Sequence, residues 1–258
     1  MPAYSFDVTE SRSRNTLIGR IYGVMFIGIL ITALIALGLG MMFSQMIFGT
    51  IDSSKIFYGD PELTLKSSDA AVALLVTLII SGIALFILAF VIQFVFLKGK
   101  RSLTIPMVLY SVLMGVLLSE LVIFLPWEVL GVSFLITAGT FGIMFLIATL
   151  SKGSLNALGL IGFGLFIGAG LIALVGLIFT LTGALGDAMK LYWIVSFLTF
   201  AAVMFITIWD MWRIKQIAQS GEMSKNLVLY CAFTLYVDFI YLFLKIVRIV
   251  AYIYANKK

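Results

Sequence analysis

Histidine is missing altogether from this 258-residue chain. Its absence removes imidazole metal ligands, Ser-His and Cys-His nucleophile pairs, and the side chain that ordinarily titrates near neutral pH. Any proton sensing must therefore come from carboxylates. Cysteine occurs once, as Cys231 within the last apolar run, so no intrachain disulfide can form, and the residue reads as a small core side chain. Four prolines, 11 % charged residues and no Ser/Gly-rich or charge-rich tract longer than a loop argue against long linkers or disorder. Glycine-rich nucleotide loops of the Walker kind are also absent, which argues against an ATP-driven pump.

Apolar residues fill the space those absences leave. They make up 62 % of the chain, with a mean hydropathy of +1.18. Apolar stretches of about 20 residues with few charges span a bilayer core of ~30 Å, so the chain reads as an all-α polytopic membrane protein, a single bundle with no second domain. The expected spans are 21–43, 70–97, 105–124, 129–150, 158–181, 192–214 and 227–254. The first sixteen residues are polar and read as a short tail. The run after them is too long for the apolar region of a cleavable signal. Thr50 to Asp69, with Pro61 and four acidic residues, and Lys215 to Asn226 read as loops outside the bilayer. Pro106 opens the third span in the first turn, where a missing N–H is tolerated. Ser151-Lys152-Gly153 ends the fourth.

Short cytoplasmic loops carry the excess of Lys and Arg. With the N-terminus inside, the inner segments hold ten basic residues (Arg12, Arg14, Arg20, Lys98, Lys100, Arg101, Lys152, Arg213, Lys215, Lys225) and the outer ones five (Lys55, Lys66, Lys190, Lys257, Lys258). The expected orientation is N-terminus cytoplasmic. The host is an inner membrane in a bacterium or an organelle membrane in a eukaryote. Lys257 and Lys258 sit on the wrong side of that rule, which leaves open a seventh segment that does not fully cross. The net charge of +5 reads as this topology signal, with no nucleic-acid partner implied. Gly19-x3-Gly23 and Gly162, Gly164, Gly168 and Gly170 are expected to form small packing faces between helices. Trp127 and Tyr192, near span ends, read as interfacial anchors.

Two carboxylates lie within the last two apolar runs, and charge at membrane depth is expensive enough to mark an ion or proton path. Asp210 stands near the inner end of the sixth span, three residues from Arg213, and the plainest reading of it is a local ion pair worth a few tenths of a kcal/mol. Asp238 lies eleven residues past Leu227, ~16 Å along a helix and near mid-membrane. Lys245 on the same face is ~10 Å further along, too far for a direct hydrogen bond. Asp238 therefore needs a partner on another helix. Because the sixth and seventh spans are consecutive and antiparallel, Asp210 and Asp238 can meet, and two facing carboxylates in a low dielectric share a proton or recruit a cation. Oxygen ligands suit Ca²⁺, but two carboxylates supply at most four of the six to eight oxygens it prefers, which argues for weak, transient occupancy.

The segments Trp209-Asp210-x2-Arg213-Ile214-Lys215 and Leu235-Tyr236-Val237-Asp238-Phe239-Ile240-Tyr241-Leu242-Phe243, with Arg248 beyond, resemble the signatures of the Bax inhibitor-1 or transmembrane Bax inhibitor motif family. Looser likenesses are Arg20-Ile21-Tyr22, Leu109-Tyr110-Ser111 and Thr137-Ala138-Gly139. The resemblance implies seven helices, six of them wrapped around a central seventh. It also implies a pH-sensitive Ca²⁺ leak sensed by the paired aspartates, and protection from stress or cell-death signals. Carried over by position, Asp210 and Asp238 are the proton and Ca²⁺ sensors, and Arg248 is a helix-seven arginine. Some members pair that arginine with an acidic residue in the second helix, where this chain offers only Gln93; Glu120, backbone carbonyls or the interface itself are the substitutes. Arg213, Lys100 and Arg101 are candidate latch or supporting cations, the last two also explicable as topology signals alone.

Three function classes follow. The first is a pH-gated Ca²⁺-permeable leak with no tightly bound cofactor. The second is a non-conducting regulator that works through contacts with other membrane proteins, including a membrane protease. The third is an intramembrane aspartyl protease, disfavoured because Leu235-Tyr236-Val237 stands where such enzymes carry Gly-x-Gly before the aspartate. A chain that is not an enzyme is the expectation.

Overall fold

A computed structural model describes residues 3–60, 65–98, 102–181, 188–219 and 224–256; the side chains of residues 3–15, 97–98 and 188–189 are outside the description. The elements are α1 (Ala3–Phe48), α2 (Ser53–Phe57), α3 (Ser68–Lys98), α4 (Thr104–Phe124), α5 (Trp127–Leu150), α6 (Asn156–Leu181), α7 (Ala188–Gln219) and α8 (Lys225–Ala255). All but α2 are long and apolar enough to cross a membrane, seven candidate spans among the described residues. At 31 residues and about 46 Å, α8 has ample length to do so.

Local chemistry sets the helix ends. Gly49, at φ 70°, supplies the left-handed residue that terminates α1, and its N–H returns to the Gln45 carbonyl at 3.0 Å. Asp52 caps α2 by accepting from the Ser54 N–H at 3.1 Å. Ser224 caps α8 by accepting from the Leu227 N–H at 3.2 Å. Leu125 and Pro126 form the tight connection between α4 and α5.

Several ends differ from the sequence reading, among them α1, which runs on to Phe48, and α7, which opens at Ala188. The polar N-terminal tail is helical from Ala3, because no proline interrupts the chain between there and the first apolar run. The expected loop after Ile214 begins five residues later, since α7 continues to Gln219. Lys215 stays helical by sending its ammonium to the end of α5, where it donates to the carbonyls of Thr149 at 2.7 Å and Ser151 at 3.1 Å. Those are carbonyls a helix C-terminus leaves without partners. The short helix α2 was not anticipated.

The core gathers around α8, whose Leu235, Tyr236 and Leu242 are fully buried. It packs on α1, α5 and α7 and touches α3 and α4 lightly. The arrangement with the seventh span enclosed by all six others needs correction at α6. That helix packs chiefly on α7 and turns residues such as Leu160 and Leu174 outward, onto the surface that faces lipid.

Small residues set the closest helix approaches, though not all the expected ones. A Cβ at Gly162 would lie 2.8 Å from the Ile206 side chain and 3.1 Å from the Ala202 carbonyl, and one at Gly159 would lie 2.7 Å from the Trp209 ring. These contacts bring α6 onto α7. Between α1 and α4, Gly115 lies against Thr32 and Ile35, and Gly40 against Val122. Gly19, Gly23, Gly164, Gly168 and Gly170 have open space where a Cβ would stand, so they carry no packing face. Gly176, farther along α6, is also buried, with Leu191 of α7 where a Cβ would stand; the open glycines lie off the side of α6 that meets α7.

Candidate functional site

Asp210 on α7 and Asp238 on α8 are both buried, at 9 % exposure each. The antiparallel contact of the two helices brings them within electrostatic reach of one another, so that Asp238 feels the charge of Asp210. Thr207, fully buried and three residues ahead of Asp210 on the same face of α7, presents its hydroxyl to the Asp238 carboxyl. That hydroxyl also lies 2.8 Å from the Val203 carbonyl. It has a single proton to give, so it serves one acceptor at a time. Oδ2 of Asp238 is buried and has no hydrogen-bond partner among the described residues. A buried acceptor left bare costs roughly 1–3 kcal/mol, and more when charged, so the site favours whatever supplies a proton or a positive charge at that oxygen.

Asp210 also borders a cavity of about 60 Å³, which it lines with Phe96 of α3, Arg213 and Ile217 of α7, and Tyr230, Cys231 and Thr234 of α8. The Arg213 guanidinium lies over the Trp209 ring, 5.2 Å from its centroid, and its charge acts on Asp210. Arg213 thus places a positive charge beside the cavity. Cys231, buried in the same wall, is the small core residue expected of it. Lys100 and Arg101 lie outside the described residues.

The other half of the α7–α8 interface holds a second polar group. Lys245 donates to Thr199 Oγ1 at 2.8 Å and reaches Ser196 Oγ at 3.4 Å. Arg248 reaches the Tyr192 hydroxyl at 3.4 Å, and its charge acts on Glu120 of α4. Of the substitutes weighed for an acidic partner in the second span, Glu120 is the one in electrostatic contact. Gln93 is engaged elsewhere and accepts from the Tyr230 hydroxyl at 2.9 Å.

Thr207 escaped the sequence reading, although its three-residue spacing from Asp210 puts a hydroxyl on the carboxylate's face of the helix. The Tyr230–Gln93 link escaped it too, and no local pattern announces a contact between residues 137 apart. Among the described residues no group of three or more His, Cys, Asp or Glu side chains converges, so any cation held here draws on two carboxylates, hydroxyls and water.

A family model described as "Inhibitor of apoptosis-promoting Bax1" matches residues 14–254. The inner membrane protein YbhL of Escherichia coli strain K12 is 29 % identical over 241 residues, which cover 91 % of this chain and 91 % of that protein. YbhL of Escherichia coli O6:H1 gives the same figures.

Proposed function

The chain belongs to the Bax inhibitor family, and from that footing we propose that it is a pH-sensitive Ca²⁺-permeable leak in which Asp210 and Asp238 exchange a shared proton for a passing cation. One observation carries the reading: an aspartate within a spanning helix keeps a carboxylate oxygen buried and, among the described residues, unpartnered beside a second aspartate. Protonated, the pair is a hydrogen-bonded clasp between α7 and α8. Deprotonated, it repels itself until a cation bridges it. Two carboxylates hold Ca²⁺ weakly, and conduction needs that weakness because an ion must leave as well as enter. Kinship with a protein named for an inner membrane, together with the excess of Lys and Arg at one end, supports insertion in an inner membrane with the N-terminus cytoplasmic.

The test is Ca²⁺ entry into dye-loaded proteoliposomes at several pH values. The reading expects flux that varies with pH in the wild-type protein and loses that variation in Asp238→Asn. Vesicles that stay Ca²⁺-tight at every pH, together with a membrane protein that co-purifies reproducibly, would favour the non-conducting regulator instead.

A further inference from the structure

Phe96 and Tyr230 stack face to face, with ring centroids 3.9 Å apart and planes 10° from parallel. Both rings form part of the wall of the cavity that contains Asp210. Gln93, one turn before Phe96 on α3, accepts the Tyr230 hydroxyl at 2.9 Å. Two consecutive turns of α3 therefore grip one tyrosine of α8.

We infer that the Phe96–Tyr230 stack, pinned by Gln93, is a lid over Asp210, and that cations and water reach the aspartate pair through the gap between α3 and α8 when the stack parts. The inference deepens the proposed leak by assigning its entrance, and it rests on that reading for the identity of what passes.

Three features support it. At about 60 Å³ the cavity has room for only a few water molecules, whereas Ca²⁺ carries a shell of six to eight oxygens. A fully hydrated ion does not fit this space as it stands. The walls are not equally fixed: α7 is tied to the end of α5 by the two Lys215 hydrogen bonds and backed by α6, while α3 packs on α4 and α1 and meets α8 only lightly. The aromatic stack and the glutamine bond are thus the ties most readily undone. Finally, Thr234 and the exposed Arg213 line the same cavity as Asp210, giving it polar walls that accept water.

Cys231 lines the same cavity, is 4 % exposed, and is the chain's single cysteine, so its reactivity reports on the lid without background. The experiment measures the rate at which a cationic methanethiosulfonate modifies Cys231 in the full-length protein in detergent micelles. Slow labelling is expected for the wild type, labelling a few-fold faster for Gln93→Leu and Tyr230→Phe, which remove only the hydrogen bond, and at least ten-fold faster for Phe96→Ala. A cysteine placed by Ala169→Cys in a Cys231→Ser background, buried between α6 and α7, controls for general loosening and is expected to label at one rate whether or not Phe96→Ala is present. Unchanged Cys231 labelling in all three variants would overturn the lid, and so would equal acceleration at position 169. Because labelling does not depend on Ca²⁺, a tight vesicle with a fast-labelling Phe96→Ala refutes the leak and keeps the lid, whereas a leaky vesicle with unchanged labelling does the reverse.

Discussion

The Tyr236 hydroxyl on α8 stands 2.6 Å from the Thr32 hydroxyl on α1. Thr32 in turn lies 3.0 Å from the Ser111 carbonyl of α4 and donates to it, so the proton between the two hydroxyls belongs to Tyr236. Three spans are joined at one fully buried point, one residue past Leu235 in the segment that carries Asp238.

That direction of donation makes two substitutions unequal. Tyr236→Phe removes a donor and leaves Thr32 still bonded to Ser111, a loss of about 1 kcal/mol. Thr32→Val takes from the tyrosine hydroxyl its Thr32 acceptor and from the Ser111 carbonyl its second hydrogen bond, for a loss of roughly 1–3 kcal/mol. Thermal unfolding in detergent is expected to rank them in that order. The double variant should lose less than the sum of the two.

The glycines separate in the same assay. Gly115→Ala would put a Cβ 2.7 Å from the Thr32 carbonyl, forcing α1 away from α4 at a cost of about 1–3 kcal/mol. Gly164→Ala and Gly168→Ala meet nothing and are expected to leave stability unchanged or raise it by up to about 1 kcal/mol. Equal losses in both classes would contradict the packing described.

Lys215→Met should free the α5 carbonyls that the ammonium holds, costing about 1 kcal/mol. Hydrogen exchange of amides in the last turn of α7 is the local measure, and faster exchange there is the expected result.

Asp52 supplies a control on pH. Its carboxyl is held below the usual aspartate value of 3.8 by the hydrogen bonds from Ser54. A value lower in the folded chain than in the unfolded one means the cap is complete above the ordinary value and fades as pH falls below it. Protection of the Ser54 amide is therefore expected to be flat from pH 5 to 8 and to drop only in stronger acid. With histidine absent, a pH response in the neutral range must come from other groups.

Much of this architecture was legible from the residues alone. Seven apolar runs became seven long helices because lipid leaves a spanning chain few other ways to satisfy its backbone. The antiparallel order of α7 and α8 made the approach of Asp210 and Asp238 foreseeable. Glycine roles were not legible, since Gly162 and Gly164 look alike in sequence and differ only in which side of α6 meets α7. Nor was the Phe96–Tyr230 stack, because nothing near either residue records which helix will lie opposite. Helix ends were misjudged where Lys215 keeps its backbone helical and spends its charge on a neighbour.

The proposed leak requires a proton and a cation to compete for the Asp238 carboxyl. Infrared difference spectroscopy of the reconstituted protein on adding Ca²⁺ reads that competition at the carboxyl itself. The expected result is loss of a protonated-carboxyl band in the wild type, larger at lower pH, where more of that form is present, needing more Ca²⁺ to complete there, and missing from Asp238→Asn. A band that does not respond to Ca²⁺, or one that responds equally in Asp238→Asn, would contradict it.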